Sequence, residues 1–358
     1  MGEMKLASAH LAECRKIIRH GSKSFYFASL MLPPSVRLAS TALYAFCRVS
    51  DDIADEPGAS LAALDHLRQR LDAAYAGTPY DHAADQAFAA VVESYDIPES
   101  VPMAMLEGFE WDLVGKKYNT LSDVLDYSAR VASTVGVMMS AVMERRSRDT
   151  LARACELGLA MQLINIARDV GEDARNGRCY LPEEWLAEEG LNSERLIASP
   201  EFTPALGRVI KRLLDEASQI YRLGVTGISD LPASSRLGVR AAALVYAEIG
   251  EKVRANGYNS IDQRAYTTRG RKLGLMLRSP GNPLNFSGCD TAAPVEEVAF
   301  LVDACERTPE AVRGDGEWML DMFAELDRRD RASIAKAQAN TRTPRTGQAS
   351  DQRVGQLA

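Results

Sequence analysis

Residues Gln162-Leu-Ile-Asn165-Ile-Ala-Arg168-Asp169-Val-Gly-Glu-Asp173 decide the fold of this chain. At helical spacing Gln162, Asn165, Asp169 and Asp173 fall into one polar row. Cys155, Leu159 and Ile166 flank that row on one side, Gly158 and Met161 on the other. Leu163, Ile164, Ala167 and Val170 complete the circumference. A helix apolar nearly all round lies inside a protein. Its amide and carboxylate row is then buried, and buried carboxylates require partners or metals. The stretch predicts an interior helix whose polar stripe faces a cavity or bound ions.

A second stretch, Tyr44-Ala-Phe-Cys-Arg48-Val-Ser-Asp51-Asp-Ile-Ala-Asp55, ends in the same Asp-x-x-x-Asp spacing. Tyr44, Arg48, Asp51 and Asp55 share about 60° of arc, opposite Ala42, Phe46, Val49 and Ile53. Alone, this is also the pattern of an ordinary surface helix. The pair of stretches points to chemistry. Mg²⁺ takes oxygen ligands, usually one or two carboxylates with waters and substrate phosphates. Acids from two distant helices, turned to one hollow, suit Mg²⁺ (Mn²⁺ being the alternative ion) gripping a diphosphate. Such ions stabilise charge on a departing group. Arg48 and Arg168 beside the acids can orient a carboxylate or contact phosphate; a plain salt bridge is the bland alternative.

The remaining composition narrows the field. The chain has 358 residues, 46% hydrophobic and 25% charged, with a formal net charge of −7. That is globular, and it offers no electrostatic case for binding nucleic acid. Six scattered cysteines without a Cys-x-x-Cys read as reduced thiols of a cytoplasmic protein. Four histidines, His10, His20, His66 and His82, lie outside both acidic stretches, which argues against a histidine zinc site or a Ser-His-Asp triad. The start lacks the apolar core of a signal peptide, and no apolar run reaches the ~18–20 residues that span a bilayer.

Alanine, leucine and arginine abound and alternating runs are scarce, so the chain reads as all-α. Helices are expected near 5–20, 34–56, 59–77, 83–95, 98–115, 121–145, 149–174, 202–227 and 233–256. Pro33-Pro34 opens the second and Asn176-Gly177 follows the seventh. A loop-rich excursion over 269–293 and a last helix over 311–337 complete a single domain, 1–337, with the tail 338–358 expected to be disordered.

Four pieces together resemble the squalene/phytoene synthase family: Ser22-Lys-Ser-Phe25, the two acidic stretches, and Gly177-Arg-Cys-Tyr-Leu-Pro182. In order and spacing they cover about residues 15–275. The second acidic stretch followed by Arg-x-Tyr-Leu-Pro is highly specific; a lone Asp-Asp-x-x-Asp is not. The resemblance, nearest to the bacterial phytoene-forming branch, implies an isoprenoid-synthase helical bundle around a central cavity. It implies head-to-head condensation of two geranylgeranyl diphosphates. One allylic diphosphate ionises and its cation is attacked by the double bond of the second, giving the cyclopropyl intermediate prephytoene diphosphate. A second ionisation, rearrangement and proton loss yield phytoene and a second diphosphate. Carried over by position, Asp51, Asp55, Asp169 and Asp173 resemble the metal ligands, with Asn165 and Gln162 as polar companions. Arg48, Arg168, Lys23 and Arg178 match diphosphate contacts, Ser22 a substrate-binding position, Tyr44 and Phe25 match positions near the reacting carbons, and Tyr246 and Arg264 resemble a further pair at the diphosphate end.

One departure stands out. The family commonly has a second tyrosine where this chain has Ala129, and glycine where it has Ser133. Tyr127 lies two residues away, about 160° around a helix, so it does not stand in; the diphosphate itself is an alternative base. Rival readings are a squalene or dehydrosqualene synthase using two farnesyl diphosphates, and a non-catalytic scaffold with no reason to keep these acids in register. Head-to-tail synthases and cyclases lack support in the second stretch. No Gly-x-Gly-x-x-Gly supports NADPH binding. Greasy substrates and product imply loose contact with the inner membrane surface.

Overall fold

The computed structural model describes residues 8–56, 60–268, 270–271, 274–275 and 293–307. Every regular element among them is helical. The expected helix over 311–337, the tail, and most of the 269–293 excursion lie outside the described residues.

The core rod is α9, Arg148–Arg175, capped by Ser147, whose hydroxyl accepts from the Thr150 N–H. It is capped at its other end by Asn176, after which Gly177 takes φ +78°, as a helix terminus favours. Around it pack α8 (Thr134–Val142), α12 (Pro204–Gly224) and α13 (Ala233–Ala255). The apolar circumference read from sequence explains this: Leu163, Ile166 and Ala167 are buried at 0–3% exposure. A second layer holds α1 (Ser8–Gly21), α3 (Pro34–Ala54), α4 (Leu61–Tyr75), α5 (Ala83–Ser94) and α6 (Ser100–Leu113). Pro34 opens α3 at its first helical position, as expected. There Phe46 stacks on Phe88 of α5, ring centroids 3.9 Å apart.

Three departures from the expected helices matter. Lys23–Ser29 forms a short helix, α2, because Ser22 caps it and α13 supports it. The helix expected over 121–145 is α7 (Leu121–Ser128), a π-helical turn at Ala129–Ser133, then α8. Two short helices, α10 (Glu183–Glu188) and α11 (Ser193–Ala198), occupy the stretch between the helices expected at 149–174 and 202–227. Among the described residues no helix is long and apolar enough to cross a membrane.

Candidate active site

The site grows from two helix faces. On α3, Leu43, Tyr44 and Cys47 line an apolar cavity of about 320 Å³. Continuing along that face in steps of four brings Asp51 and then Asp55. On α9, Ala154, Gly158, Met161 and Asn165 line the same cavity, and the next steps bring Asp169 and Asp173. Each row thus runs from a greasy tunnel to a carboxylate-bearing end. Both ends are helix C-termini, which add partial negative charge of their own.

The carboxylates feel one another across the mouth. Burial pushes the Asp51 carboxyl up to about 6, with Asp55, Asp52 and Asp112 adding repulsion that Arg48 opposes. Burial likewise pushes Asp173 up to about 8, with Asp169, Glu172 and Asp112 adding to it and Arg178 opposing. Acids from α3, α6 and α9 therefore surround one space. The arginines predicted from sequence are there too. Arg48 holds Asp51 at 2.9 Å and also pairs with Asp52. Arg178, beyond the end of α9, reaches Asp55 at 2.8 Å and ties the two rods together. Arg168 donates from Nε to its neighbour Asp169 at 2.8 Å. Arg264 meets Asp169 and Glu172, each at 2.8 Å. The segment carrying Arg264 lies flush on α9 at Gly171, whose N–H donates to the Ser260 carbonyl at 3.0 Å. A Cβ there would stand 2.7 Å from Ile261 Cα, so a larger residue lifts Arg264 away.

Between acids and tunnel sit three rings. Phe25 lies 6.1 Å from Tyr44 and 6.0 Å from Tyr246. Burial pushes the Tyr44 hydroxyl up to about 12, and burial also raises that of Tyr246, so both stay neutral. Asn165 donates to Gln162 Oε1 at 3.2 Å, while its own Oδ1 is buried without a partner. Ser22 is brought to the site's edge with a structural task, accepting the Phe25 N–H as the cap of α2. Lys23 follows it, exposed, in the first turn.

Sequence reading missed Asp112. On α6 it accepts hydrogen bonds from Tyr127 at 2.8 Å and Tyr180 at 2.7 Å, and burial pushes it up to about 6 against those bonds. Asp112 stands five residues from Glu107 and two from Glu110, off the spacing of three or four that joins a helix face, so it entered no row as Asp51 and Asp55 did. The Tyr127 hydroxyl is thus engaged with Asp112, and the tunnel wall on that segment is made by Val131, Ala132 and Val135. A polar cleft of about 700 Å³ adjoins at Asp55, Asp112 and Arg178, with Lys116 and Lys117 on its rim.

Hard oxygen donors, an unsatisfied buried amide oxygen and crowded carboxylates fit a divalent cation. Among the described residues no three His, Cys, Asp or Glu side chains stand close enough to hold an ion by themselves. Mg²⁺ would complete its shell with phosphate and water oxygens.

Residues 18–271 match the profile of the squalene/phytoene synthases. The phytoene synthase of Cereibacter sphaeroides is 47% identical over 358 residues, covering 95% of this chain and 99% of the relative. That of Rhodobacter capsulatus is 50% identical over 307 residues, covering 84% and 91%. The crystal structure of a ligand-bound dehydrosqualene synthase matches with a TM-score of 0.71 at 29% identity, over 76% of this chain and 96% of that one.

Proposed function

The chain belongs to the squalene/phytoene synthase family, and we propose that it condenses two geranylgeranyl diphosphates head to head, through prephytoene diphosphate, into phytoene. It is an enzyme, a transferase of isoprenoid and carotenoid biosynthesis with phytoene synthase activity. The observation that carries the mechanism is the continuity of each row from apolar tunnel to acidic mouth along α3 and α9. That is the shape of a prenyl diphosphate.

Tunnel length favours the C20 substrate. From Thr150 to Asn165 along α9 the lining runs about 22 Å at 1.5 Å per residue, enough for four extended isoprene units of roughly 5 Å and more than three require. Asp51, Asp55, Asp169 and Asp173, with the Asn165 amide oxygen, would hold Mg²⁺, or Mn²⁺ in its place. Bound there, the metal supplies charge neutralisation for the leaving diphosphate. Arg48, Arg168, Arg178 and Arg264 orient the acids and are within reach of phosphate oxygens. Phe25, Tyr44 and Tyr246 exclude water and offer π-faces to the allylic cation. Each condensation step ends in loss of a proton. With Ala129 in place of a tyrosine, the released diphosphate serves as the base. The steps are redox-neutral and call for no NADPH. The proposed location is the cytoplasm, with loose contact at the inner membrane surface.

Incubation with Mg²⁺ and either geranylgeranyl or farnesyl diphosphate, with products weighed by mass spectrometry, tests the reading. A C40 hydrocarbon is expected. A C30 product alone moves the enzyme to the dehydrosqualene reaction.

A further inference from the structure

Charge is distributed unevenly in this chain. It carries 49 Asp and Glu against 42 Lys and Arg, yet residues 14–50 contain no acid at all. The same stretch holds six bases: Arg15, Lys16, Arg19, Lys23, Arg37 and Arg48. Arg48 is occupied at the acidic mouth, but Arg15, Lys16, Arg19 and Lys23 are exposed. They follow one another at helical spacing along the outer side of α1 and into α2, with Glu13, paired to Lys16 at 2.8 Å, as the one acid of α1. The opposite side of α1 is anchored in the core through Cys14 and Ile18, at 0% and 3% exposure.

The basic face runs into an apolar one. Leu30, at the end of α2, is 46% exposed, and Tyr26, Phe27 and Met31 are half-buried beside it. The inner side of the same helix is tunnel wall: Phe25, Ala28 and Ser29 line the cavity, as does Leu32 just beyond. One short helix therefore separates the tunnel from this surface. A C40 hydrocarbon has negligible solubility in water, so it must pass from tunnel to lipid.

We propose that the outer faces of α1 and α2, with the Leu30–Met31 turn, dock on an anionic phospholipid surface. Cationic side chains are drawn to the negative membrane surface while Leu30 and its neighbours enter the headgroup boundary. An overall acidic protein would thereby present its basic side to the bilayer and hold the tunnel wall against it. The proposal rests on the reading of the product as a hydrocarbon.

The test is sedimentation of the full chain with vesicles, which needs no turnover. Binding to phosphatidylcholine vesicles containing phosphatidylglycerol is expected, weakening as salt rises. Pure phosphatidylcholine should bind much less. The Arg15→Glu/Lys16→Glu/Arg19→Glu variant should bind the anionic vesicles more than tenfold more weakly, each lost base being worth about a factor of five. Its turnover of detergent-dispersed substrate should match the parent, which certifies its fold. Leu30→Trp should be quenched by brominated acyl chains. Equal binding by parent and triple variant, absence of parent binding, or unquenched Leu30→Trp emission overturns the proposal; any of these would turn attention to a protein partner for this face. A C30 product would leave the vesicle results standing, and absent vesicle binding would leave the phytoene reading intact.

Discussion

Two sets of buried charges in this molecule are built on opposite plans. Between α4 and α5, Arg70 clasps Asp85 with contacts of 2.9–3.1 Å, the side chains 6% and 0% exposed. One cation meets one anion and nothing is left over. At the ends of α3 and α9, with Asp112 of α6 beside them, Asp51, Asp52, Asp55, Asp112, Asp169, Glu172 and Asp173 are matched, among the described residues, by the guanidiniums of Arg48, Arg168, Arg178 and Arg264. Seven carboxylates against four guanidiniums leaves an excess of negative charge, and two helix ends deepen it. A structural pair is balanced within the fold. A site that awaits cations and a substrate is left out of balance, and repulsion among its acids adds to the burial that raises the Asp51 and Asp173 carboxyls.

The largest expected effect breaks this comparison on the catalytic side. Asp169→Asn or Asp51→Asn should lower turnover by about 10³-fold or more, equivalent to ~4 kcal/mol of barrier. In Asp51→Asn the thermal midpoint should hold or rise, because repulsion from Asp55, Asp52 and Asp112 goes with the charge and Arg48 keeps Asp52. Asp169→Asn also gives up charge on its pairs with Arg168 and Arg264 and should cost less than the loss of a fully buried pair. Asp85→Ala should do the reverse. It strands a buried guanidinium, at a cost of about 3–5 kcal/mol in stability, while turnover per folded molecule stays at the parental level. Activity assays paired with denaturant titrations separate the two outcomes. Loss of stability in Asp169→Asn comparable to that in Asp85→Ala would erase the distinction.

How much of this was legible beforehand follows from the range of the interactions. The rows on α3 and α9 are periodic within one helix, so spacing alone exposed Asp51, Asp55, Asn165, Asp169 and Asp173. Pro34 and Asn176-Gly177 marked helix ends because their backbone preferences are local. Residues that matter through distant packing were harder to see. Lys23–Ser29 has an aromatic run without helical period and is helical because of its cap and its seat on α13. The resemblance made Ser22 a substrate contact; the observed hydrogen bond gives it the further task of capping α2. Asp112 acquires meaning only when α7 and the chain after α9 bring Tyr127 and Tyr180 to it. The packing of Ser260–Ile261 on Gly171, which delivers Arg264, joins segments about 90 residues apart, beyond any local pattern.

Asp112 offers a finer test of the balance. Asp112→Asn keeps one acceptor for the tyrosine hydroxyls and removes one charge from the far wall of the mouth. A loss of about tenfold in kcat, ~1.4 kcal/mol, is expected, with Tyr180→Phe falling short of it. Equal losses in both would assign the effect to the hydrogen bond alone, and the charge would then have no part in it.

The smallest effect returns to a structural pair, this time on α9 itself. Glu156 is fully buried, with Arg153 Nε 3.0 Å away and the Val295 N–H donating to it at 3.4 Å. Burial outweighs both and pushes its carboxyl up from 4.5 to about 7. The folded state therefore holds this proton more tightly than the unfolded chain does. Its contribution to stability is complete below about 4.5 and is lost as pH rises through about 7. Glu156→Gln keeps an acceptor for Val295 and cannot ionise, so it should flatten the stability profile between those values. The difference should be on the order of 1 kcal/mol, or about 2–4 °C in the thermal midpoint for a chain of this size. Thermal scans at pH 5 and pH 7 decide it: parallel shifts in parent and variant would show that Arg153 already balances Glu156, as Arg70 balances Asp85, and would move this pair fully into the balanced class.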